Sequence, residues 1–346
     1  MTTIKDIANH AKVSVATVSY VLNNTRYVSP EKKERILQAI RELDYVPNAV
    51  ARGLRVRRSQ TLSLVVADIT NPFYPDIAKA CEEVAQEAGY LVNIINTNED
   101  GQRLADALRL LREGKTDGMI ITTALEKDGA VLKELKDYAL PVVFAHRELP
   151  GLDMDSVVSD NFNGAVTATN HLLGLGHRKV AFMGGVEGSE ITRLRREGYV
   201  FAMRESGLAI EPEWLISGEA RYEPSYLATK TLMELDASKR PTAIININDV
   251  GAIGVIDAAY DLKLSVPDDL AVVGFDDLFI ANSRLIQLTT VRIPRYELGK
   301  KATMILLEKL KMPEREADDK PVNRIVLPVE LIVRGTCGAR AREMEK

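Results

Sequence analysis

The chemically versatile side chains of this sequence are not grouped for catalysis. Its four histidines, His10, His146, His171 and His177, are scattered, and its two cysteines, Cys81 and Cys337, lie far apart. That spacing supports neither a metal-ligand cluster nor a disulfide framework. There is no GxxxxGK phosphate loop, no HExxH helix and no CxxC pair. Gly184, Gly185 and Gly188 before Ser189 resemble a phosphate loop without its lysine, and a tight turn is the simpler use. What stands out is the chemistry of recognition. Ser14, Thr17, Ser19 and Asn23 are the short polar types that bond phosphate oxygens. Val15 and Ala16 offer apolar contact to thymine methyls, and the Tyr20 hydroxyl can bond a base edge or a phosphate. Far along the chain, Asp276 closes a GFD run and Arg195 follows a KVAFMG run. A carboxylate and a guanidinium can grip vicinal hydroxyls, an aromatic such as Phe73 can stack on a ring face, and Asn248 can both donate and accept.

Those early recognition residues need a scaffold, and the first 60 residues supply one. Thr3 can cap a helix over residues 4–11 with Asp6 at its positive end, Ser14 can cap 15–22, and Ser29-Pro30-Glu31 opens a helix reaching about residue 43. Ile7, Ala8, Ala11, Val18, Ile36, Ile40 and Leu43 recur at helical spacing, and about three residues part the first two helices. This is the layout of a helix-turn-helix, whose second helix enters the major groove of DNA with its early residues at base edges. Charge agrees. The whole chain carries −4, yet residues 1–60 hold 11 Lys/Arg against 5 Asp/Glu, leaving an acidic remainder. A basic head on an acidic body is the footprint of a nucleic-acid partner.

After Pro47, Asn48 can cap a short helix over residues 49–55. Its brevity and Gly53 make that helix unstable alone. From Leu62 onward short Val/Ile-rich runs at 62–68, 90–96, 117–122, 141–146, 179–184, 241–248 and 270–277 alternate with amphipathic stretches such as 75–88 and 103–114. Continuous apolar strands parted by helices indicate parallel sheets covered on both faces. Ligands of such sheets bind at the carboxyl ends of the strands, where Asp276 and Asn248 fall.

The run from Thr3 to Leu54 resembles the headpiece of LacI-family transcriptional regulators, most specifically at Val13-Ser14, Thr17-Val18-Ser19, Leu22-Asn23, Val28-Ser29 and Tyr45-Val46-Pro47-Asn48. The remainder resembles the periplasmic-binding-protein-like core of the same family at 68–74, Gly176-His177, Asn248-Asp249, Val273-Gly274-Phe275-Asp276-Asp277 and 288–291. The resemblance implies an all-α helix-turn-helix headpiece at 1–46, a hinge and linker at 47–60, and a two-lobed α/β core with parallel sheets at 61–340. The lobes would be about 62–159 and 160–290, with the chain recrossing at 291–335. It implies a homodimer on a palindromic operator, with Val15, Ala16 and Tyr20 choosing bases. Leu54 would wedge into the minor groove beside Ala51 and Arg55, at an unstacking cost repaid by contact. A small-molecule effector, a sugar or sugar derivative, would lie among Phe73, His146, Arg195, Asn248 and Asp276.

Five positions depart from the family pattern. Lys12 occupies a turn where Gly is frequent, Tyr20 stands where Arg or His is common, and His146 where many sugar-sensing members place Asp. Ser189 and Ala220 replace a charged and an aromatic contact of the purine-sensing relative, which argues against a purine. A sugar-transport protein would share the core but have no use for residues 1–58, and an enzyme lacks its constellation. The expected protein is a repressor with no cofactor, metal or catalytic residue. It has no signal segment or membrane span, is suited to the reducing cytoplasm, and is dimeric because the tail after Gly335 has no leucine heptads.

Overall fold

The computed structural model describes residues 2–23, 26–45, 59–138, 140–312 and 321–339, which separate into two compact units meeting at Ser59 and Gln60. Among its described residues the first unit has three helices, α1 (Ile4–His10), α2 (Val15–Asn23) and α3 (Pro30–Glu42). Ile7, Ala8, Ala11, Val18, Ile36 and Ala39 form its core. Two of the three caps read from sequence carry a side-chain hydrogen bond, while Ser29 stands at the N-cap of α3 without one. Asp6 accepts from the Thr3 amide at 2.7 Å, and Ser14 Oγ accepts from the Thr17 amide at 3.1 Å.

The turn between α1 and α2 is built on strain. Lys12 has φ +51°, the left-handed region that an L side chain adopts at a cost of about 1–2 kcal/mol. Arg35 of α3 compensates by donating from Nη2 to the carbonyl of Ala11 and, at 3.3 Å, to that of Lys12. A cation on the orphan carbonyls at a helix C-terminus is favourable twice, as hydrogen bond and against the helix dipole.

The second unit holds two six-stranded sheets. Its strands are β1 (Thr61–Val66), β2 (Leu91–Asn96), β3 (Gly118–Ile121), β4 (Val142–Ala145), β5 (Ser156–Ser159), β6 (Val180–Gly184), β7 (Leu215–Ser217), β8 (Ala243–Asn246), β9 (Ala271–Asp276), β10 (Thr289–Arg292), β11 (Arg324–Leu327) and β12 (Glu330–Ile332). The first sheet has order β11-β5-β4-β3-β1-β2 and is parallel throughout. The second has order β12-β10-β9-β8-β6-β7 and is parallel except where β12 meets β10. The chain therefore crosses between sheets after β5, after β10 and after β11.

Helices α4 (Tyr74–Glu87), α5 (Gly101–Arg112), α6 (Gly129–Asp137) and α11 (Arg295–Lys311) belong with the first sheet. Helices α7 (Asn161–Gly174), α8 (Glu190–Glu205), α9 (Tyr222–Met233) and α10 (Asp249–Asp261) belong with the second. Close packing is bought by small residues: a Cβ on Gly299 of α11 would collide with the Ile77 carbonyl of α4. No helix among the described residues is long and apolar enough to cross a membrane.

Replacing Lys12 by Gly should raise the unfolding free energy of the headpiece, by at most about 1 kcal/mol after the added unfolded-state entropy. Arg35→Ala should lower it by about 1.5–3 kcal/mol. The single tryptophan, Trp214, lies in the second unit, so its fluorescence should not move while proteolysis of residues 2–45 reports the change. A destabilised Lys12→Gly chain would contradict the assignment of strain.

Candidate functional site

Two faces hold the sequence-predicted residues, one in each unit. In the first unit Ser14, Val15 and Ala16 are exposed at the start of α2, while Thr17, Ser19 and Tyr20 are half-buried. Val15 is 40% exposed although aliphatic, with Val18 beneath it fully buried, so the helix presents an apolar outer edge beside its cap. Ser14 Oγ and Thr17 Oγ1 share a 2.8 Å hydrogen bond, leaving each hydroxyl further acceptor capacity. The Arg26 guanidinium lies 5.3 Å from the centroid of the Tyr20 ring, a cation–π contact that sequence reading did not anticipate. Asn23 ends α2 and its side chain, with Asn48, Ala51, Leu54 and Arg55, lies outside the described residues.

In the second unit one cleft, about 440 Å³ with its open mouth, gathers all five predicted cleft residues. The first lobe contributes Phe73 and Tyr74 at the start of α4, Asn71 before it, and His146 and Arg147 after β4. The second contributes Ser189, Thr192 and Arg195 from the start of α8, Ala220, Asn248 at the cap of α10, and Asp276 at the end of β9. Strand carboxyl ends and helix N-termini converge there, as the topology demands.

Asp276 is buried and has φ +112°, Asp277 follows at +54°, and His146 across the cleft has +70°. Consecutive residues in so disfavoured a conformation persist only where neighbours over-determine them. Here they do. Leu278 donates its amide to Asp249 at 2.7 Å, and the same carboxylate accepts from Thr290 Oγ1 at 2.5 Å. Asp277 is clamped by Arg334 at 2.6 Å and Arg292 at 2.8 Å. Burial pushes the Asp276 carboxyl up to about 7, against the pull of Arg195 and Arg295. Asp249 is raised well above the usual carboxylate range by burial and by the negative charge of Asp276.

Arg195 is 2% exposed and sits 4.1 Å above the Phe275 ring. Its Nε donates to Asn161 Oδ1 at 2.8 Å and its Nη1 to the Ile247 carbonyl. Burial lowers its pKa to about 10, so it stays charged near neutrality. Arg147 pairs with Glu99 at 2.8 Å. Burial, with Arg147 and Arg195 nearby, holds His146 well below the usual imidazole range, hence neutral. Its ring meets Phe73 with centroids 4.2 Å apart. Three buried polar atoms on the cleft lining, His146 Nδ1, Arg147 Nε and Arg195 Nη2, have no hydrogen-bond partner within the described structure. Buried polar atoms left unmet are costly, so a cleft lined by two such donors and an imidazole nitrogen suits a polar ligand.

Asn248 has a second employment. Its Oδ1 caps α10 by accepting from the Gly251 amide at 2.8 Å, and its Nδ2 donates to the Ala220 carbonyl at 2.9 Å. Sequence reading missed Arg147, Asn161 and Asp249. An Arg next to His146 and an Asp next to Asn248 were visible signals, whereas Asn161 reveals itself only through the fold.

Comparison with known proteins agrees with this architecture. Residues 3–48 match the model of bacterial regulatory proteins of the lacI family, and residues 59–333 that of periplasmic binding proteins and the sugar-binding domain of the LacI family. The chain is 37% identical over 340 residues to a ribose operon repressor of Halalkalibacterium halodurans, covering 97% of each. It is 34% identical to the HTH-type transcriptional regulator DegA of Bacillus subtilis, covering 96% of this chain and 97% of that one. Among solved structures, the lac repressor dimer bound to operator and the anti-inducer ONPF aligns with TM-score 0.83 and 25% identity over 97% of this chain and 99% of that one. A complex of the regulator CelR with cellobiose aligns with TM-score 0.71 and 26% identity over 97% and 100%. The chain belongs to the LacI family of DNA-binding transcriptional regulators.

Proposed function

We propose that this regulator is a dimeric repressor that reads a palindromic operator through α2 and whose affinity is set by a sugar or related polyol in the interlobe cleft. The observation that carries the reading is the cleft itself, where a strained, buried Asp276 and a buried Arg195 with an unmet donor line one space beside the Phe73 ring. A carboxylate accepting from two hydroxyls while a guanidinium donates to them suits a diol. An aromatic wall suits the apolar face of its ring. The names of the ribose operon repressor and the cellobiose complex point the same way. His146, neutral and wedged against Phe73, would donate or accept where an acidic residue is frequent, and Asn248 would contribute whatever capacity its capping role leaves.

On the DNA side, Val15, Ala16 and Tyr20 would select bases, with Ser14, Thr17, Ser19 and Asn23 on phosphates. Residues 1–46 would form the reading head and 61–340 the sensor. In the connector 47–60, Asn48 would cap a helix that places Ala51, Leu54 and Arg55 at the minor groove. Dimerisation is supported by apolar side chains left on the surface of the second unit, Leu285 (96% exposed) and Tyr260 (80%) foremost, and by the outward edge strand β2.

Operator affinity should fall with salt at a log–log slope of roughly −0.9 per neutralised phosphate. Leu54→Ala should weaken specific binding at least tenfold more than nonspecific binding. A flat salt response, or equal loss of both binding modes, would exclude this mode of recognition. A thermal-shift panel of sugars, sugar phosphates and nucleobases should yield a hit among the sugars that Arg195→Gln abolishes, and a hit confined to nucleobases would overturn the ligand class.

The raised Asp276 carboxyl makes a further claim about pH. It holds its proton more tightly folded than unfolded, so its contribution is greatest below the unfolded value near 3.8 and is lost as pH climbs through about 7. The midpoint of the wild type relative to Asp276→Asn should therefore drop between pH of about 4.5 and 7.5. Affinity for a polyol, whose hydroxyls need the ionised form, should rise over the same window. Parallel pH profiles of the two proteins would contradict the buried carboxyl.

A further inference from the structure

The turn at 276–278 is held from two directions. Asp249, Arg292 and Arg334 grip it from the second lobe, to which it belongs. One further clamp comes from the other lobe. Arg295 opens α11, the helix packed on α4, and its Nη1 donates to the carbonyls of both strained residues, Asp276 and, at 3.3 Å, Asp277. The rest of the guanidinium is committed to the first lobe, with Nε and Nη2 reaching Asp76 Oδ2 of α4 at 3.0 and 2.8 Å. The Arg295 side chain is 12% exposed and its bonds to the two carbonyls are partly buried, whereas Asp76, 51% exposed, meets it at the water-facing side. Tyr296, the next residue, donates to Glu83 of the same helix at 2.5 Å, fixing the start of α11 to α4.

Clamps within one lobe move with the turn when the lobes rotate, but a clamp from the other lobe does not. Asp76 lies two residues beyond Tyr74 and three beyond Phe73, both of which line the cleft. The contacts therefore close a ring: cleft, Asp276, Arg295, Asp76, the first turn of α4, Phe73, and the cleft again. On the far side of the cleft the lobes meet through the Glu126 amide donating to the Gly188 carbonyl at 3.0 Å, beside Ser189.

We propose that Arg295, oriented by Asp76, is the positioning residue that ties the strained Asp276 turn to helix α4, so that occupancy of the cleft sets the angle between the lobes. This rests on the cleft being the effector site. A lysine keeps the charge but cannot reach three acceptors through a planar fork, so the role is specific to arginine. A ligand that pulls on the Asp276 side chain loads the strained backbone beneath it, and the carbonyl of that residue is what Arg295 holds.

Hydrogen–deuterium exchange on the full chain tests the tie without DNA or effector, so its result is independent of whether the operator experiments succeed. Asp76→Asn alters only the first lobe, yet it should quicken exchange of the Asp277 and Leu278 amides in the second at least fivefold. Arg295→Gln should do so at 277–278 and at 73–77 together, and Arg295→Lys should not restore protection. Strand β6 at 180–184 should exchange as in the wild type. Rates at 277–278 within twofold of wild type in both Asp76→Asn and Arg295→Gln would overturn the proposal. A parallel rise at 180–184 would overturn it too, since the pair would then support only global stability. The functional counterpart uses a duplex selected by the wild type from a random-sequence library. Asp276→Asn should change its dissociation constant at least fivefold in the native background and less than twofold with Arg295→Gln present. Equal changes in the two backgrounds would reject the coupling.

Discussion

The second unit is organised around one expensive arrangement, a buried carboxyl on a backbone held in a conformation that L residues avoid. Asp276 at φ +112° and Asp277 at +54° would relax if left alone. Asp249 on α10, Arg292 on β10, Arg334 beyond β12 and Arg295 on α11 are all spent on preventing that. These four residues come from elements of both lobes, and the crossings after β10 and β11 are what bring them to one turn. The parallel sheets, the crossover pattern and the buried ion pairs are thus the framework for aiming one side chain into the cleft.

This constraint explains why the cleft suits recognition. Arg195, His146 and Asp276 are fixed by burial and by bonds to Asn161, Val157 and the clamped turn, so they can recognise hydroxyls with little ordering cost. The family to which the chain belongs consists of transcriptional regulators. The first lobe supplies five of the lining residues and the second ten, and any ligand that touches Phe73 and Asp276 together must draw on both.

The alternation of apolar runs with amphipathic stretches was enough to read the α/β class and seven of the strands, because buried parallel strands are written as continuous Val and Ile. β5, β7, β10, β11 and β12 carry weaker signals for physical reasons, β10 because Val291 is the one aliphatic residue of Thr289–Arg292. β5 is only Ser156–Ser159, with a hydroxyl at each end, and β7 is three residues long. β11 and β12 are short edge strands, exposed in part, whose register depends on crossings that local sequence does not encode. At the cleft, Asp276 and Phe73 were legible because strand ends and aromatic type are local properties. Asn161 was not, since its partner Arg195 is 34 residues away. Lys12 shows the reverse case: departure from glycine in the family pattern implied strain, and φ +51° is what the turn has. The arginine that relieves it, Arg35, sits on another helix and left no mark in the local pattern.

What joins the two halves is the claim that the aimed carboxylate governs the grip of α2 on DNA. The direct measurement is operator affinity of the wild type and of Asp276→Asn, each with and without the sugar that most raises the thermal midpoint of the wild type. The wild type should change at least tenfold, as release or as tightening, and the variant not at all, binding operator alike with and without the sugar. A variant that responds to the sugar as fully as the wild type would contradict that claim.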